Sequence, residues 1–475
     1  MTHPGHPSKF VWHRSAARRP TEGAKATTLY YRNGMSQFPF GFSAADNNEP
    51  GGFDLNNLGA MFTQFGHMLQ QSQNEGPLPW STVMQVARAG LGADPSVSEA
   101  SIRAVESAME LADLWLNDSV SFPATSTSVK VWSRSEWIVE TADVWQKIIL
   151  PIATTMSQRM ETMLPGLTGA DDASAIQDQL PEQLKGMLPD GLTPEMLAML
   201  KPMLGMVTQL GATAFAYQLG QALSALAKEV VSSTDVGIPL APAGTRALIP
   251  LNISEFATGL GIDERDLFLF FALRESAHQR LFDHAPWLRP RLMSAVEEYA
   301  RYMDVDIASL GEKFGGFDFT NPEALQEIMA SGVMEPEDTA QQRAAIVRLE
   351  TLLALIEGWV DEVVSQAAGD RLASLAQLRE TMGRRRATGG PAETTFSTLI
   401  GMKLRPKLFR EAHTVFAAVR AKSGIQARDA LWNHPDLLPD AESLTDPLGF
   451  VEGVTGGSAF DDITMSDFEK GEGQG

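Results

Sequence analysis

The chain has 475 residues, 44% of them hydrophobic, which is enough apolar material to fill two or three domain cores. Its 38 Lys and Arg against 59 Asp and Glu leave a net charge of -21, which repels nucleic-acid backbones and anionic membrane surfaces, so neither partner is expected. The absence of cysteine excludes disulfides, thiolate catalysis, iron–sulfur clusters and cysteine zinc sites, so any metal has to be held by His, Asp or Glu.

Residues 1–52 are rich in Pro, Gly, Ser and Asn without a sustained period, which predicts a flexible arm ending at Pro50-Gly51-Gly52. Its opening residues are basic but lack the continuous apolar core of a secretory signal, so a cytoplasmic address is expected. Residues 53–235 predict a helical region, because Leu58, Met61, Phe62 and Phe65, then Val105, Met109, Ala112 and Leu116, recur at helical spacing. Pro, Gly and acidic residues interrupt it from Pro165 to Asp190. In the segment Met187 to Met206, the spacing of Met196, Met199, Met203 and Met206 fits the filling of an irregular core better than an adaptable groove. Ala212 to Val231 reads as a buried or interfacial helix, with Gly211 and Gly220 letting a neighbour come close.

Leu248 to Ile253, short, apolar and punctuated by proline, predicts a strand of a small sheet. Asp263 is a candidate N-cap for a helix starting at Glu264. The run Leu267 to Leu273 is apolar all round and therefore buried, but far below the roughly 20 residues of a membrane span. This helix is expected to end near His284, because Pro286 restrains the residue before it and favours a new first turn. A second helix is predicted from Trp287 to about Met303. A long one is predicted from Glu335 to Ala368, where Ile346, Leu349, Leu353, Ile356, Val360 and Val363 recur every three or four positions. Residues 451–475, Gly-rich and acidic, predict a disordered tail.

Chemistry concentrates in Arg274-Glu275-Ser276-Ala277-His278, one substitution from the helical zinc motif H-E-x-x-H. In that motif two histidines at i and i+4 hold Zn²⁺, and the glutamate deprotonates a metal-bound water. Arg274 stands where the first ligand would be; a guanidinium has no lone pair to give and repels a cation. An arginine, a glutamate and a histidine on a buried helix each need a partner. Glu357-Gly358-Trp359-Val360-Asp361 supplies candidates, since Glu357 and Asp361 are i and i+4 on the face of Leu353 and Val364. Glu350, two turns earlier, extends the same acidic stripe.

This arrangement resembles the gluzincin pattern, in which H-E-x-x-H is followed on a later helix by a glutamate ligand and, four residues on, an aspartate. By position the resemblance makes His278 and Glu357 metal ligands, Glu275 the general base and Asp361 the carboxylate that orients a ligand. The segments ALRESAHQRLFDHAPWLRPRL, LLALIEGWVDEVV, RRRATGGPAETTFSTLIGMKLRPK and ALWNHPDLLP are similar to a bacterial family of zincin-like hydrolases often labelled zinc-dependent metalloproteases. The likeness runs from about Gly51 to Phe450. It implies a mainly α fold with a small sheet at most, a zincin-like domain over residues 236–450 beside the helical N-terminal region, zinc as cofactor and a peptide or protein as substrate.

Two arrangements of the site follow. In the first, Arg274 takes the place of ligand and metal and forms a buried ion pair with Glu357 or Asp361, leaving a metal-free pseudoprotease that binds or scaffolds. In the second, His278 and Glu357 bind a metal with a third ligand from His284 or His413. His284, six residues on at about 100° each, falls roughly 240° from His278 unless the helix end bends. The metal-free site is preferred, while the function that the resemblance implies is a zincin-like metallohydrolase of metallopeptidase type with a degenerate zinc motif, the metal-free pseudoprotease being the alternative. Arg384-Arg385-Arg386 before Gly389-Gly390-Pro391 reads either as an anion site or, more commonly, as a solvated basic turn. His413 and His67 read as ordinary helix residues, and His434, before Pro435, as a turn cap.

Overall fold

Among the described residues, helix follows where apolar residues recur every three or four positions, and almost all of the regular structure is helical. A computed structural model describes residues 76–124, 128–163, 194–302, 339–387 and 408–456. The arm expected at 1–52, the periodic Leu58, Met61, Phe62 and Phe65, His67, the interruption from Pro165 to Asp190, the methionine side chains of Met187 to Met206 and the expected tail from residue 457 on lie outside the described residues.

Helix α1 is Trp80–Leu91 and α2 is Glu99–Leu116. Ser98 caps α2, its hydroxyl accepting from the Ser101 N–H at 3.1 Å, and the buried stripe is Val105, Ala108, Met109, Ala112 and Leu116. Strand β1 is Ser128–Val131, and α3, Arg134–Met163, follows it directly. Helix α4, Pro194–Ala227, packs against α1. Gly220 makes that contact possible: a Cβ there would sit 2.7 Å from the Val83 carbonyl oxygen and 2.6 Å from Val86 Cβ. Gly211 does not share the role, since a Cβ added to it would meet nothing within 4 Å.

Strand β2 is Thr245–Leu248, paired in parallel with β1 in a register that sets Ser128 beside Thr245 and Val131 beside Leu248. The strand expected over Leu248 to Ile253 therefore lies earlier in the chain. Pro250 lacks an N–H and has its φ set for a first helical turn, so it opens α5, Pro250–Phe256, instead of extending the strand. The motif helix α6 is Glu264–His284, capped by Asp263, whose carboxylate accepts from the Arg265 N–H at 2.8 Å. After it come α7, Leu288–Arg301, and α8, Ala340–Ala368. Trp287 stays outside α7, its indole N–H donating to the Trp432 carbonyl at 3.0 Å. A capping box of Thr339 and Gln342 fixes the start of α8.

Helix α9 is Leu375–Ala387 and α10 is Phe409–Ala430, kinked at Gly424, where φ is 88°. The short α11, Ala441–Thr445, leads to α12, Pro447–Gly456. Residues 451–456, expected to open a disordered tail, complete α12, because Val451 is buried where α12 lies against α10. The core centres on α6, which is packed by α2, α8, α9 and β2. Among the described residues no helix is long and apolar enough to cross a membrane.

Candidate functional site

Every residue of α6 from Leu267 to Phe282 is buried, polar and charged ones included. Arg274, Glu275 and His278 therefore require partners inside the protein, since an unpaired charge there is costly. Arg274 finds Glu357 on α8: its Nη2 donates to Glu357 Oε2 at 2.5 Å. His278 lies one turn further along the same face, with Nε2 3.2 Å from Glu357 Oε1 and Nδ1 2.8 Å from the Arg274 carbonyl oxygen. A second guanidinium arrives from the last turn of α9, where Arg386 Nη2 donates to the same Glu357 Oε2 at 2.5 Å. One carboxylate thus holds together two arginines and a histidine. Burial alone would raise the Glu357 pKa, but Arg386, His278 and Arg274 hold it well below the usual carboxylate range. Burial lowers that of Arg274, against the pull of Glu357.

Asp361 lies on the same face of α8 but has other partners. Arg379 of α9 grips it with both Nε, at 3.1 Å, and Nη2, at 2.5 Å, and His413 Nδ1 of α10 stands 3.0 Å from its Oδ2. Burial pushes its pKa up, but His413 and Arg379 outweigh that and leave it below the ordinary range. Of the two carboxylates offered to Arg274 by the sequence, the fold uses Glu357 for it and Asp361 for Arg379. Gly358 lets α10 bring His413 to Asp361, because a Cβ there would lie 2.6 Å from Ala412 Cβ and 2.7 Å from the His413 nitrogen, which is how closely α10 approaches α8.

Glu275 points to a different wall. Its oxygens accept from the Ser233 hydroxyl, the Thr234 hydroxyl at 2.6 Å, the Thr234 N–H at 3.2 Å and the Ala247 N–H of β2 at 3.4 Å, and the residue is fully buried. The segment carrying Ser233 runs antiparallel to β2, with Ser233 N–H donating to the Ala247 carbonyl at 3.0 Å and Ile249 N–H to the Val231 carbonyl at 3.0 Å. Both edges of β2 are therefore covered, and the carboxylate's acceptor sites are filled. Arg385 fastens the segment from the α9 side, reaching the Asp235 carboxylate at 3.1 Å and the Glu229 carbonyl at 2.7 Å.

The remaining histidines separate. His284 stacks on Phe122 at 3.8 Å between ring centroids, with Nε2 3.3 Å from Asn433 Oδ1, away from the Glu357 cluster. His434 caps the turn Pro435–Leu437, its Nδ1 accepting from the Asp436 N–H at 3.3 Å. The sequence did not single out Arg379, the pairing of Arg386 with Glu357 or that of His413 with Asp361. Arg384-Arg385-Arg386 forms the last turn of α9, and two of its three side chains are spent on Asp235 and Glu357, while Gly389-Gly390-Pro391, the other half of the anion site considered from the sequence, lies outside the described residues. A usable signal was present: Arg379 and Arg386 are seven apart, on one face of their helix, as Glu357 and Asp361 share one face of theirs.

This arrangement can be set against known proteins. The profile of the zincin-like metallopeptidase family matches residues 79–451. The chain belongs to the zincin-like metallopeptidase family. A crystal structure from Chloroflexus aurantiacus, described as a "putative hydrolase with a novel fold", superposes on this zincin-like protein with a TM-score of 0.54 at 17% identity. The match covers 80% of this chain and 99% of the other. No curated protein matches the sequence.

The family implies zinc in general, and the residues of this zincin-like protein can be tested against that ion. A zinc site needs about three protein donors of suitable charge. The constellation offers His278 Nε2 and Glu357 Oε1, while Glu357 Oε2 already accepts from two guanidiniums. Among the described residues no group of three or more His, Asp or Glu is placed to hold a metal ion. The donors present do not fit zinc.

Proposed function

We propose that this chain is a metal-independent member of the zincin-like metallopeptidase family, a binding or scaffold protein that recognises a peptide or protein segment without hydrolysing it. One observation carries the reading: Arg274 and Arg386 both donate to Glu357 Oε2 at 2.5 Å, setting two fixed positive charges where a metal ligand would need an open lone pair. The environment of Glu275 supports it, since a carboxylate already accepting from Ser233, Thr234 and Ala247 has no free acceptor for a water proton. The peptide class of ligand comes from the family.

The competing reading is a metallohydrolase with Glu275 as base and His278 and Glu357 as ligands. It is favoured by the family and by the 3.2 Å approach of the His278 and Glu357 donors. Elemental analysis separates the two. Purified full-length protein dialysed against a weak chelator is expected to hold well under about one zinc per chain. Near-stoichiometric zinc that is lost in His278→Ala would overturn the metal-independent reading. A proteome-wide comparison of cleavage by wild type and Glu275→Gln is expected to give identical profiles.

A further inference from the structure

We infer that Arg386 is the second half of a charge-for-charge replacement of a divalent ion, so that restoring the ligand at position 274 is not sufficient to restore a metal site. The inference rests on the metal-independent reading. Two guanidiniums from different helices, α6 and α9, converge on one oxygen of one buried carboxylate. Together they bring two positive charges to Glu357, the formal charge a zinc ion would bring. The rest of the ligand set remains in order: the His278 ring is fixed by its Nδ1 contact with the Arg274 carbonyl, and Nε2 faces Glu357 Oε1.

Arg274 lies in the middle of the buried helix and is 5% exposed, whereas Arg386 reaches in from a helix end with 17% of its side chain exposed and its guanidinium over the Phe409 ring. The two arginines act on a metal differently. Arg274 removes a donor. Arg386 leaves the donors in place but keeps its charge on the oxygen a cation would need, and like charges a few ångströms apart inside a protein repel strongly. A single Arg274→His substitution supplies an imidazole and leaves that second charge untouched.

The test uses four full-length proteins: wild type, Arg274→His, Arg386→Met, and the double substitution. Methionine keeps an unbranched apolar stem against Phe409. Zinc is measured by elemental analysis after dialysis, and affinity by competition with a chromophoric chelator; near-UV circular dichroism establishes folding. The expected result is about one zinc per chain in the double variant, with affinity at least about tenfold above either single variant. Arg274→His binding zinc as tightly as the double variant would show that Arg386 plays no part. A folded double variant with no more affinity than wild type would overturn the inference too. If Arg386→Met disturbs folding, Arg386→Gln replaces it in the same comparison. Stoichiometric zinc in wild type is a different outcome, which removes the metal-independent reading itself and this inference with it.

Discussion

Glu357 has three cationic or hydrogen-bonding partners and about 7% of its surface in contact with solvent, so it is the residue whose loss is felt most. Replacing it with glutamine leaves two guanidiniums facing each other without the carboxylate they share, with only the more distant Asp235 and Asp361 to offset them. Removing one partner from a buried ion pair costs about 3–5 kcal/mol, and Glu357→Gln is expected in that range by urea denaturation. The pH dependence has a definite sign. The folded-state pKa of Glu357 is depressed below its unfolded value of about 4.3, so its pairing stabilises the protein fully above that pH. That stability is lost as the pH falls from about 4 through the folded-state value. Asp361 acts in the same direction from an unfolded value of about 3.9. The melting temperature of wild type is expected to fall as the pH drops below about 4, and less steeply in Glu357→Gln. Equal slopes would mean that Glu357 is not ionised and paired in the folded protein.

The motif residues on α6 were legible because their chemistry is unusual in an apolar helix: an arginine among phenylalanines must find a carboxylate, and the helix carrying Glu357 and Asp361 was the evident source. Which carboxylate it takes was not legible, because both lie on one helical face. Where α6 and α9 cross α8 decides this, while Gly358 sets how closely α10, with His413, comes to Asp361. Gly358→Ala is expected to force α10 away from α8, since the new Cβ would lie 2.7 Å from a backbone nitrogen that cannot rotate aside. Overpacking of this kind costs about 1–3 kcal/mol, read as a lower melting temperature. The Val231–Asp235 segment makes a second prediction at this scale. If Glu275 is its anchor, Glu275→Gln loses charge-assisted bonds from Ser233 and Thr234, and amide hydrogen exchange should quicken at Ser233 and Thr234. Unchanged protection there would remove the anchoring role.

Across the molecule, a buried polar knot joins positions far apart in the sequence. Asp429, at the end of α10, accepts from the Ser121 N–H at 2.7 Å, its hydroxyl at 2.9 Å, the Trp359 indole N–H at 3.0 Å and Arg428 Nε at 2.7 Å. Arg428 also donates to the Ser119 carbonyl at 2.7 Å and to Gln366 at 2.9 Å. The residues after α2 are thereby tied to α8 and α10. Asp429→Ala would leave fully buried Arg428 with only the more distant Glu362 carboxylate, at 3.8 Å, and would strand the Ser121 and Trp359 donors, and about 3–5 kcal/mol is expected to be lost in a single cooperative transition. A loss below about 1 kcal/mol would place the connection elsewhere. Asp429 and Arg428 had no period or motif to single them out: adjacent charged residues at a helix end read as solvent-facing until Ser121 and Trp359 are brought to them.

The sequence by itself determined the helical character, the burial of α6 and the position of its charged motif, because apolar periodicity and capping residues act locally. It also carried the family resemblance and the impossibility of a donor at position 274. Only the tertiary structure decided the partners: Glu357 for Arg274, Asp361 for Arg379 and His413, and Arg386 as a second positive charge on Glu357. Those pairings span up to 83 residues and depend on where α8, α9 and α10 cross α6, a matter of side-chain volume and glycine contacts that leaves no period in the sequence.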